Sequence, residues 1–163
     1  MWLSSTARQA LHAVLCVAVF DDDGPVRVEE IAAATGGPRN YLSKTLHALA
    51  RAGVLRSTRG PTGGFQLAES PDAISLEQVI APFDAVGERR CLMGLPSCSD
   101  AHPCAIHDRW SSVATVVEKF FRETTVAGLL SGNPRAVNAA RNAILTSRRR
   151  NRRKSDGSIK RKT

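Results

Sequence analysis

A Gly-Gly-Pro break at positions 36–38 places the strongest constraint on how this chain can fold. The two glycines stop a short helical pattern, VEEIAAAT, and proline is favoured in the first turn of a new helix. The next segment, RNYLSKTLHALARAG, has its apolar residues on one helical face and ends at Gly53, a typical C-terminal stop. That face consists of Leu42, Thr45, Leu46 and Leu49. The sequence therefore predicts two short helices joined by a tight connection.

Two short extended segments, VLRST and FQLAE, follow the second helix. RGPTGG joins them and supplies the glycines and the proline that a hairpin turn uses. Two helices followed by a small hairpin are the order of a winged helix-turn-helix. In such a unit the second helix enters the major groove of DNA and the hairpin reaches the neighbouring backbone or minor groove.

Apolar periodicity predicts four more helices. The first spans 6–20, a short one spans 75–82 with Ser75 as its N-cap, and the last runs from 133 to about 145. A long helix is predicted from 107 to 130. Its apolar stripe consists of Trp110, Val113, Val117, Phe120 and Phe121.

The net charge of +8 comes from the C-terminal part of the chain. From position 133 onward there are eleven Lys or Arg residues and one acid, whereas positions 1–132 carry a net charge of −2. Because the stretch 147–163 has almost nothing apolar to bury, we expect a basic disordered tail there. Such a tail favours nucleic acid as a partner, although a solvated tail that binds nothing is the alternative.

The second helix and the hairpin lie in a window without acidic residues. Positions 31–68 contain no Asp or Glu, as a surface that faces a polyanion requires. Polar side chains in the first turns of the helix can reach base edges, and an arginine at the wing tip can enter a narrow minor groove. The alternative is a solvated helix beside an ordinary hairpin. The candidate DNA-contacting residues are Arg39, Asn40, Tyr41, Ser43, Lys44, Arg59 and Gly60.

Three cysteines and a histidine share the irregular segment CLMGLPSCSDAHPCAIH, at 91–107. Thiolates and imidazoles are the ligands of zinc and of iron–sulfur clusters. Structural zinc sites usually use C-x-x-C pairs, and the wider gaps here suit a larger metal group. A redox switch, or thiols without a function, is the alternative. The candidate metal ligands are Cys91, Cys98, Cys104 and His107, with His102 as a rival to His107.

The longest apolar run, AVLCVAVF, is too short to span a membrane and lacks the small residues of a signal-peptide cleavage site. We therefore expect a cytoplasmic protein with no membrane partner. Cys16, inside that run, is expected in the core, and His12 and His47 are expected at the surface or an interface. The sequence shows no nucleophile–base pair and no phosphate-binding loop, so we do not expect an enzyme.

These segments resemble the IscR/NsrR family of bacterial regulators, also called Rrf-two. The matching segments are YLSKTLHALARAGVLRSTRGPTGGFQLA, then ISLEQVI, then three spaced cysteines before a long helix. The resemblance covers residues 4–130 and is most specific in the wing and the cysteine loop. It implies a homodimeric transcription factor that binds a palindromic operator in double-stranded DNA. It also implies a two-iron or four-iron cluster that senses redox, nitric oxide or iron status, with Cys91, Cys98 and Cys104 as ligands.

The fourth cluster ligand differs between branches of that family. His107, with Trp110 three residues later, is similar to the iron–sulfur assembly regulators, in which that histidine binds the cluster. The nitric-oxide-sensing branch uses an acidic residue near the partner chain's N-terminus, and this chain has Arg8 there. A zinc-stabilised or thiol-switch DNA-binding regulator, and an iron–sulfur electron carrier, are the alternatives.

The predicted fold class is mainly α with a small β-hairpin wing, as a winged helix-turn-helix followed by a long dimerisation helix. Four parts are expected along the chain. They are a DNA-binding domain at 1–83, a cysteine-rich cluster-binding loop at 84–106, a dimerisation helix with a C-terminal helix at 107–146, and the basic disordered tail at 147–163.

Overall fold

The computed structural model describes residues 3–20, 23–60, 62–84, 91–95 and 98–159, with side chains as far as 149. Seven helices and two strands occur in these ranges. In chain order they are α1 (Ser5–Ala18), α2 (Val28–Thr35), α3 (Arg39–Arg51), β1 (Leu55–Thr58), β2 (Gly64–Leu67), α4 (Leu76–Ile80), α5 (His107–Glu123), α6 (Val126–Gly132) and α7 (Pro134–Ile159). Among the described residues, no helix combines the length and the apolar character that a membrane span requires.

The elements α2, α3, β1 and β2 form the winged helix-turn-helix that the sequence predicts. Gly36, in the left-handed conformation with φ of 70°, ends α2, and Pro38 is the N-cap of α3. The two strands pair antiparallel, with Leu55 opposite Leu67. Val26 forms an isolated bridge with Phe65, so the segment before α2 lies along the outer edge of β2. The mainly α fold with a hairpin wing is confirmed.

Helix α1 lies at the centre of the core. Ala7, Ala10 and Ala13 are fully buried on it, and their small side chains let neighbouring helices pack closely against α1. The predicted apolar face of α3 packs here, because Leu42, Thr45, Leu46 and Leu49 are all buried. The start of α1 is capped by Ser4, whose hydroxyl accepts a hydrogen bond from the Ala7 N–H at 3.1 Å.

Helix α4 begins at the predicted cap. The Ser75 hydroxyl accepts from the Gln78 N–H at 3.2 Å, and the Gln78 side chain accepts from the Ser75 N–H at 2.7 Å. This reciprocal pair is a capping box, which satisfies two N–H groups that a helix start leaves unpaired. The prediction of Ser75 as the N-cap is confirmed.

The prediction of one helix from 107 to 130 is wrong, because the helix is broken at Thr124 and Thr125. Thr125 pairs with Ser75 in an isolated bridge, and the Leu76 N–H donates to the Thr124 carbonyl at 2.9 Å. Both threonines are β-branched and tolerate the extended conformation that this pairing requires. Helix α6 then restarts with Thr125 as its cap. The break ties the end of α5 to the start of α4.

The prediction of a disordered tail from 147 is also wrong for 147–159, because α7 continues to Ile159. Ile144 is fully buried and Ser147 is nearly so, and both lie where α7 packs along α2. Tertiary packing therefore holds a helix that its charge density disfavours. Residues 160–163 lie outside the described residues, as do Pro61 in the wing, 85–90 and Pro96 in the predicted cysteine loop.

The backbone of Gly64 lies so close to Val26 that a side chain does not fit. A Cβ placed on Gly64 would be 2.7 Å from the Val26 carbonyl oxygen, so Gly64→Ala should push β2 away from the edge segment. We expect a loss of about 1–3 kcal/mol in the free energy of unfolding, as for other forced backbone shifts. Gly132→Ala is the control, because a Cβ there meets nothing within 4 Å. Equal midpoints of the two variants in urea unfolding would contradict this packing.

Candidate nucleic-acid interface and cysteine loop

The first turns of α3 present polar side chains on the face opposite the core. Asn40 and Lys44 are exposed, and Ser43 is half-buried between them. This separation follows from the helical period, because the four buried residues of α3 return every three or four positions. Amide and ammonium groups at the start of a helix are suited to base edges and phosphates.

Two of the predicted DNA-contacting side chains are held by neighbouring helices. Arg39 forms a salt bridge with Glu29 in the first turn of α2, although both side chains stay largely exposed. The Tyr41 hydroxyl is hydrogen-bonded to the Thr6 hydroxyl in the first turn of α1. Sequence reasoning missed Glu29 and Thr6. The position of Glu29, just before the acid-free window, was the one available signal for the first pair.

The wing presents Arg59 on a tight turn. Gly60 adopts φ of 110°, which L side chains rarely reach, and the Gly63 N–H donates to the Gly60 carbonyl at 3.0 Å. Arg59 itself is exposed. Only three residues separate α3 from β1, so both elements lie within the stretch 31–68 that has no acidic residue.

His107 is the first residue of α5, and its ring turns back toward the cysteine loop. Its Nδ1 lies 3.5 Å from the Sγ of Cys98, and its Nε2 lies 2.8 Å from a carboxylate oxygen of Asp100. The residue is only 5% exposed, whereas its rival His102 is exposed. A proton on Nε2 that is donated to Asp100 leaves Nδ1 with a lone pair directed at the Cys98 side. Sequence reasoning did not identify Asp100 as a partner of His107, because an acidic residue in a polar loop is common and carries no local signal.

Cys91 and Cys104 form a second pair in the loop. The backbone N–H of Leu95 lowers the pKa of the Cys91 thiol, and the N–H groups of Met93 and Gly94 and a hydrogen bond from Cys104 act in the same direction. Successive backbone N–H groups of this kind stabilise a sulfur anion. Among the described residues, no three Cys, His, Asp or Glu side chains converge on one point as a metal ion requires. Contacts between potential metal ligands in this loop include those of Cys98 with His107 and of Cys91 with Cys104.

The fourth cysteine is a core residue, as predicted. Cys16 is 5% exposed, and burial raises the pKa of its thiol to about 11. Desolvation disfavours the thiolate, so this sulfur is a poor nucleophile at neutral pH.

Helix α5 leaves several of its large apolar side chains exposed within the single chain. Val113, Val116 and Phe120 are exposed by 48%, 68% and 52%, and Phe121 contacts Phe120 edge-on at 5.4 Å between ring centroids. The buried residues of this helix are His107 and Ala114. A contiguous apolar face of this kind marks an interaction surface.

Comparisons with known proteins identify relatives over most of the chain. Residues 3–132 match the sequence model of the Rrf2 family, described as an iron-dependent transcriptional regulator. An HTH-type transcriptional regulator of Aquifex aeolicus is 38% identical over 134 residues, which cover 80% of this chain and 92% of that protein. The regulator IscR of Photobacterium profundum is 32% identical and covers 82% of this chain and 77% of its own length.

Two solved structures share the fold. CymR, the global cysteine regulator of B. subtilis, superimposes with a TM-score of 0.70 at 24% identity, covering 82% of this chain and 98% of that one. T. potens IscR gives a TM-score of 0.66 at 23% identity, covering 81% of this chain and 88% of that one. At sequence identities this low, the two structures show a shared fold and no shared function.

The environments of Cys91 and Cys16 predict opposite reactivities in the metal-free, reduced protein. At pH 7.5 the lowered pKa of Cys91 raises its thiolate fraction, whereas the raised pKa of Cys16 keeps that sulfur protonated. Brief iodoacetamide pulses followed by peptide mass mapping should show early modification of Cys91 and none of Cys16 until the protein is unfolded in urea. Cys91→Ser is the control. Modification of Cys16 as fast as Cys91 in the native protein would contradict these environments.

Proposed function

Because this chain belongs to the Rrf2 family and is a DNA-binding transcriptional regulator and not an enzyme, we propose that it senses its signal through an iron–sulfur cluster held by the cysteine loop. Family membership confirms the resemblance to the IscR/NsrR regulators. The observation that carries the proposal is the contact between His107 and Cys98 at the start of α5, supported by Asp100. In this proposal the protein acts in the cytoplasm.

The proposed reading head consists of the first turns of α3 and the wing. Asn40 and Lys44 are exposed there, and Arg39 is held in place by Glu29. The other proposed DNA-contacting residues are Tyr41, Ser43 and Gly60. Arg59 on the wing is suited to the minor groove. Asn and Arg side chains can pair bidentately with adenine and guanine edges.

The exposed apolar face of α5 is proposed to pair with the same face of a second copy. Val113, Val116 and Phe120 would be buried in such a homodimer. Two-fold symmetry would place two reading heads on a palindromic operator, with half-sites roughly 34–36 Å apart or a multiple of that distance.

The loop contains the types of ligand that iron–sulfur clusters use. Cys91, Cys98 and Cys104 would supply thiolates, and His107 would supply Nδ1, with Asp100 fixing the ring through Nε2. The backbone N–H groups beside Cys91 are the donors that sulfur ligands of such clusters accept. When bound, the cluster supplies a redox-active group that oxidants can destroy. Binding of the cluster would require all four donors to close around it.

A series of contacts through α1 connects the start of the loop with the reading head. At the start of the loop, the Asp84 carboxylate accepts from the Ser4 N–H at 2.7 Å, and Ser4 caps α1. Two residues later on α1, Thr6 holds Tyr41 of α3. At the other end of the loop, α5 starts at His107 and is joined to α4 by Thr124. We propose that closure of the loop shifts α1 and α5, and through Thr6 the start of α3.

A thiol switch is the second candidate, and one observation favours it. Cys91 has a lowered pKa and hydrogen-bonds with Cys104, so an oxidant could join these two sulfurs in a disulfide. A zinc-stabilised loop is a further alternative. Visible absorbance separates a cluster from both, because zinc and disulfides are colourless.

Loss of a proposed ligand should remove the cluster without unfolding the chain. Cys98→Ala and Cys104→Ala should each be colourless after anaerobic purification, contain little iron or sulfide, and keep a parental circular dichroism spectrum, since the core lies elsewhere. His107→Ala should retain a more labile cluster. Ser99→Ala, which changes a loop hydroxyl that is not a proposed ligand, should stay coloured. A colourless parent protein that contains zinc or a disulfide would contradict the cluster proposal.

The Thr6–Tyr41 contact should transmit the state of the loop to α3. Thr6→Val removes the hydroxyl at nearly constant volume and substitutes none of the proposed DNA-contacting residues. Operator affinity is measured by anaerobic fluorescence anisotropy for the cluster-loaded and the cluster-free protein. The ratio of the two affinities should be severalfold smaller for Thr6→Val than for the parent protein. Thr115→Val, on the opposite face of α5 from the apolar stripe, is the matched control. An undiminished difference in Thr6→Val would rule out this route.

A further inference from the structure

The C-terminal helix α7 is docked on the winged-helix domain through its middle. Ile144 is fully buried, and the guanidinium groups of Arg141 and Arg148 lie 5.3 and 4.7 Å from the ring centroid of Phe20. A cation over an aromatic face is attracted to the ring electrons. Arg141 also pairs with Asp23 at 2.8 Å. These contacts hold α7 against the loop before α2.

Arg148 makes the most constrained of these contacts, because its partner is buried. The Glu30 side chain is 7% exposed, and one of its oxygens accepts from Arg148 Nε at 3.1 Å. The same guanidinium donates to the Pro25 carbonyl at 3.3 Å. A buried carboxylate is strongly destabilising without a partner, so the native structure requires Arg148 at this position.

The contact between Arg148 and Glu30 lies beside the start of α3. Glu29 and Glu30 are consecutive residues in the first turn of α2. Glu29 holds Arg39, the first residue of α3, and Glu30 holds Arg148 of α7. The exit of α7 from the domain is therefore adjacent to the end of α3 that is proposed to face DNA.

Beyond Arg148, α7 continues from 149 to 159, which is about 16 Å of helix at 1.5 Å per residue. This arm carries five cations, Arg149, Arg150, Arg152, Arg153 and Lys154, before its single acid, Asp156. Like charges three and four positions apart destabilise a helix, and a polyanion along the helix removes that repulsion. Residues 149–159 are called the basic arm below.

We propose that the basic arm binds the phosphates of double-stranded DNA that flanks the half-site read by α3 of the same chain. The contact is independent of base sequence and extends the footprint of each protomer beyond its operator half. It rests on the proposed function in DNA binding, and it requires no change in the cluster or in the reading head.

The test neutralises the arm while its anchor stays intact. The arm variant combines Arg150→Gln, Arg152→Gln, Arg153→Gln and Lys154→Gln, because glutamine keeps helix propensity and Arg148 stays paired with Glu30. The control variant removes the same charges elsewhere, through Arg109→Gln, Lys119→Gln, Arg122→Gln and Arg135→Gln at exposed positions. Affinity is measured against salt for a random 40-base-pair duplex. It is also measured for an operator that the parent protein selects from a random pool, with and without ten-base-pair flanks.

On the flanked operator and the random duplex, the arm variant should show a shallower slope of log affinity against log salt. The slope should fall by roughly 0.9 for each phosphate that the arm no longer neutralises, and the control variant should match the parent. On the trimmed operator all three proteins should bind alike. An unchanged slope in the arm variant, an equal change in the control, or an equal change on the trimmed operator would each overturn the proposal.

The two proposals fail in distinguishable ways. If the parent selects no operator but the arm variant still has the shallower slope on random duplex, the regulator's sequence reading fails and the arm contact stands. If the parent selects an operator and the slopes agree, the arm contact alone fails. Binding of the parent to anionic phosphatidylglycerol vesicles more tightly than to the flanked operator would assign the arm to a membrane surface and overturn its assignment to DNA.

Discussion

The carboxylate of Glu30 joins the start of α2 to the C-terminal helix α7, and the position of α7 depends on it. One oxygen accepts from the Arg27 N–H at 2.9 Å and so caps the start of α2. The other accepts from Arg148 of α7 at 3.1 Å. Because the side chain is buried, neither bond can be replaced by water without cost. The winged-helix domain and α7 are therefore fixed to each other beside the start of α3.

Most of the fold could be predicted, because short-range patterns determine it. Glycine and proline at 36–38 end one helix and start another, and the helical period of α3 identifies its four buried residues. The break at Thr124 could not be predicted, since the apolar stripe continues across it and the cause is pairing with Ser75. The helix over 147–159 was missed for a related reason, because its charges predict disorder, whereas tertiary contacts bury Ser147 and pair Arg148 with Glu30.

In the candidate site too, the sequence shows the chemical groups but not the contacts that position them. The cysteines, His107 and the acid-free window are visible as residue types at a given spacing. The contacts that position them come from residues with no local signal, such as Asp100 beside His107 and Thr6 beside Tyr41. Each of these is a common polar residue, and its role arises only when distant segments meet. The proposed coupling between the loop and the reading head therefore rests on tertiary contacts and not on a sequence motif.

In the proposed mechanism, the state of the cysteine loop sets the affinity of the reading head for its operator. The most direct measurement compares one anaerobic preparation of the parent protein before and after removal of its cluster, by anisotropy on a selected operator and on a random duplex. We expect the affinity for the operator to change by at least about tenfold, or about 1.4 kcal/mol, and the affinity for the random duplex to change little. Equal operator affinities in the two states, with the cluster content confirmed by iron and sulfide assays, would contradict it.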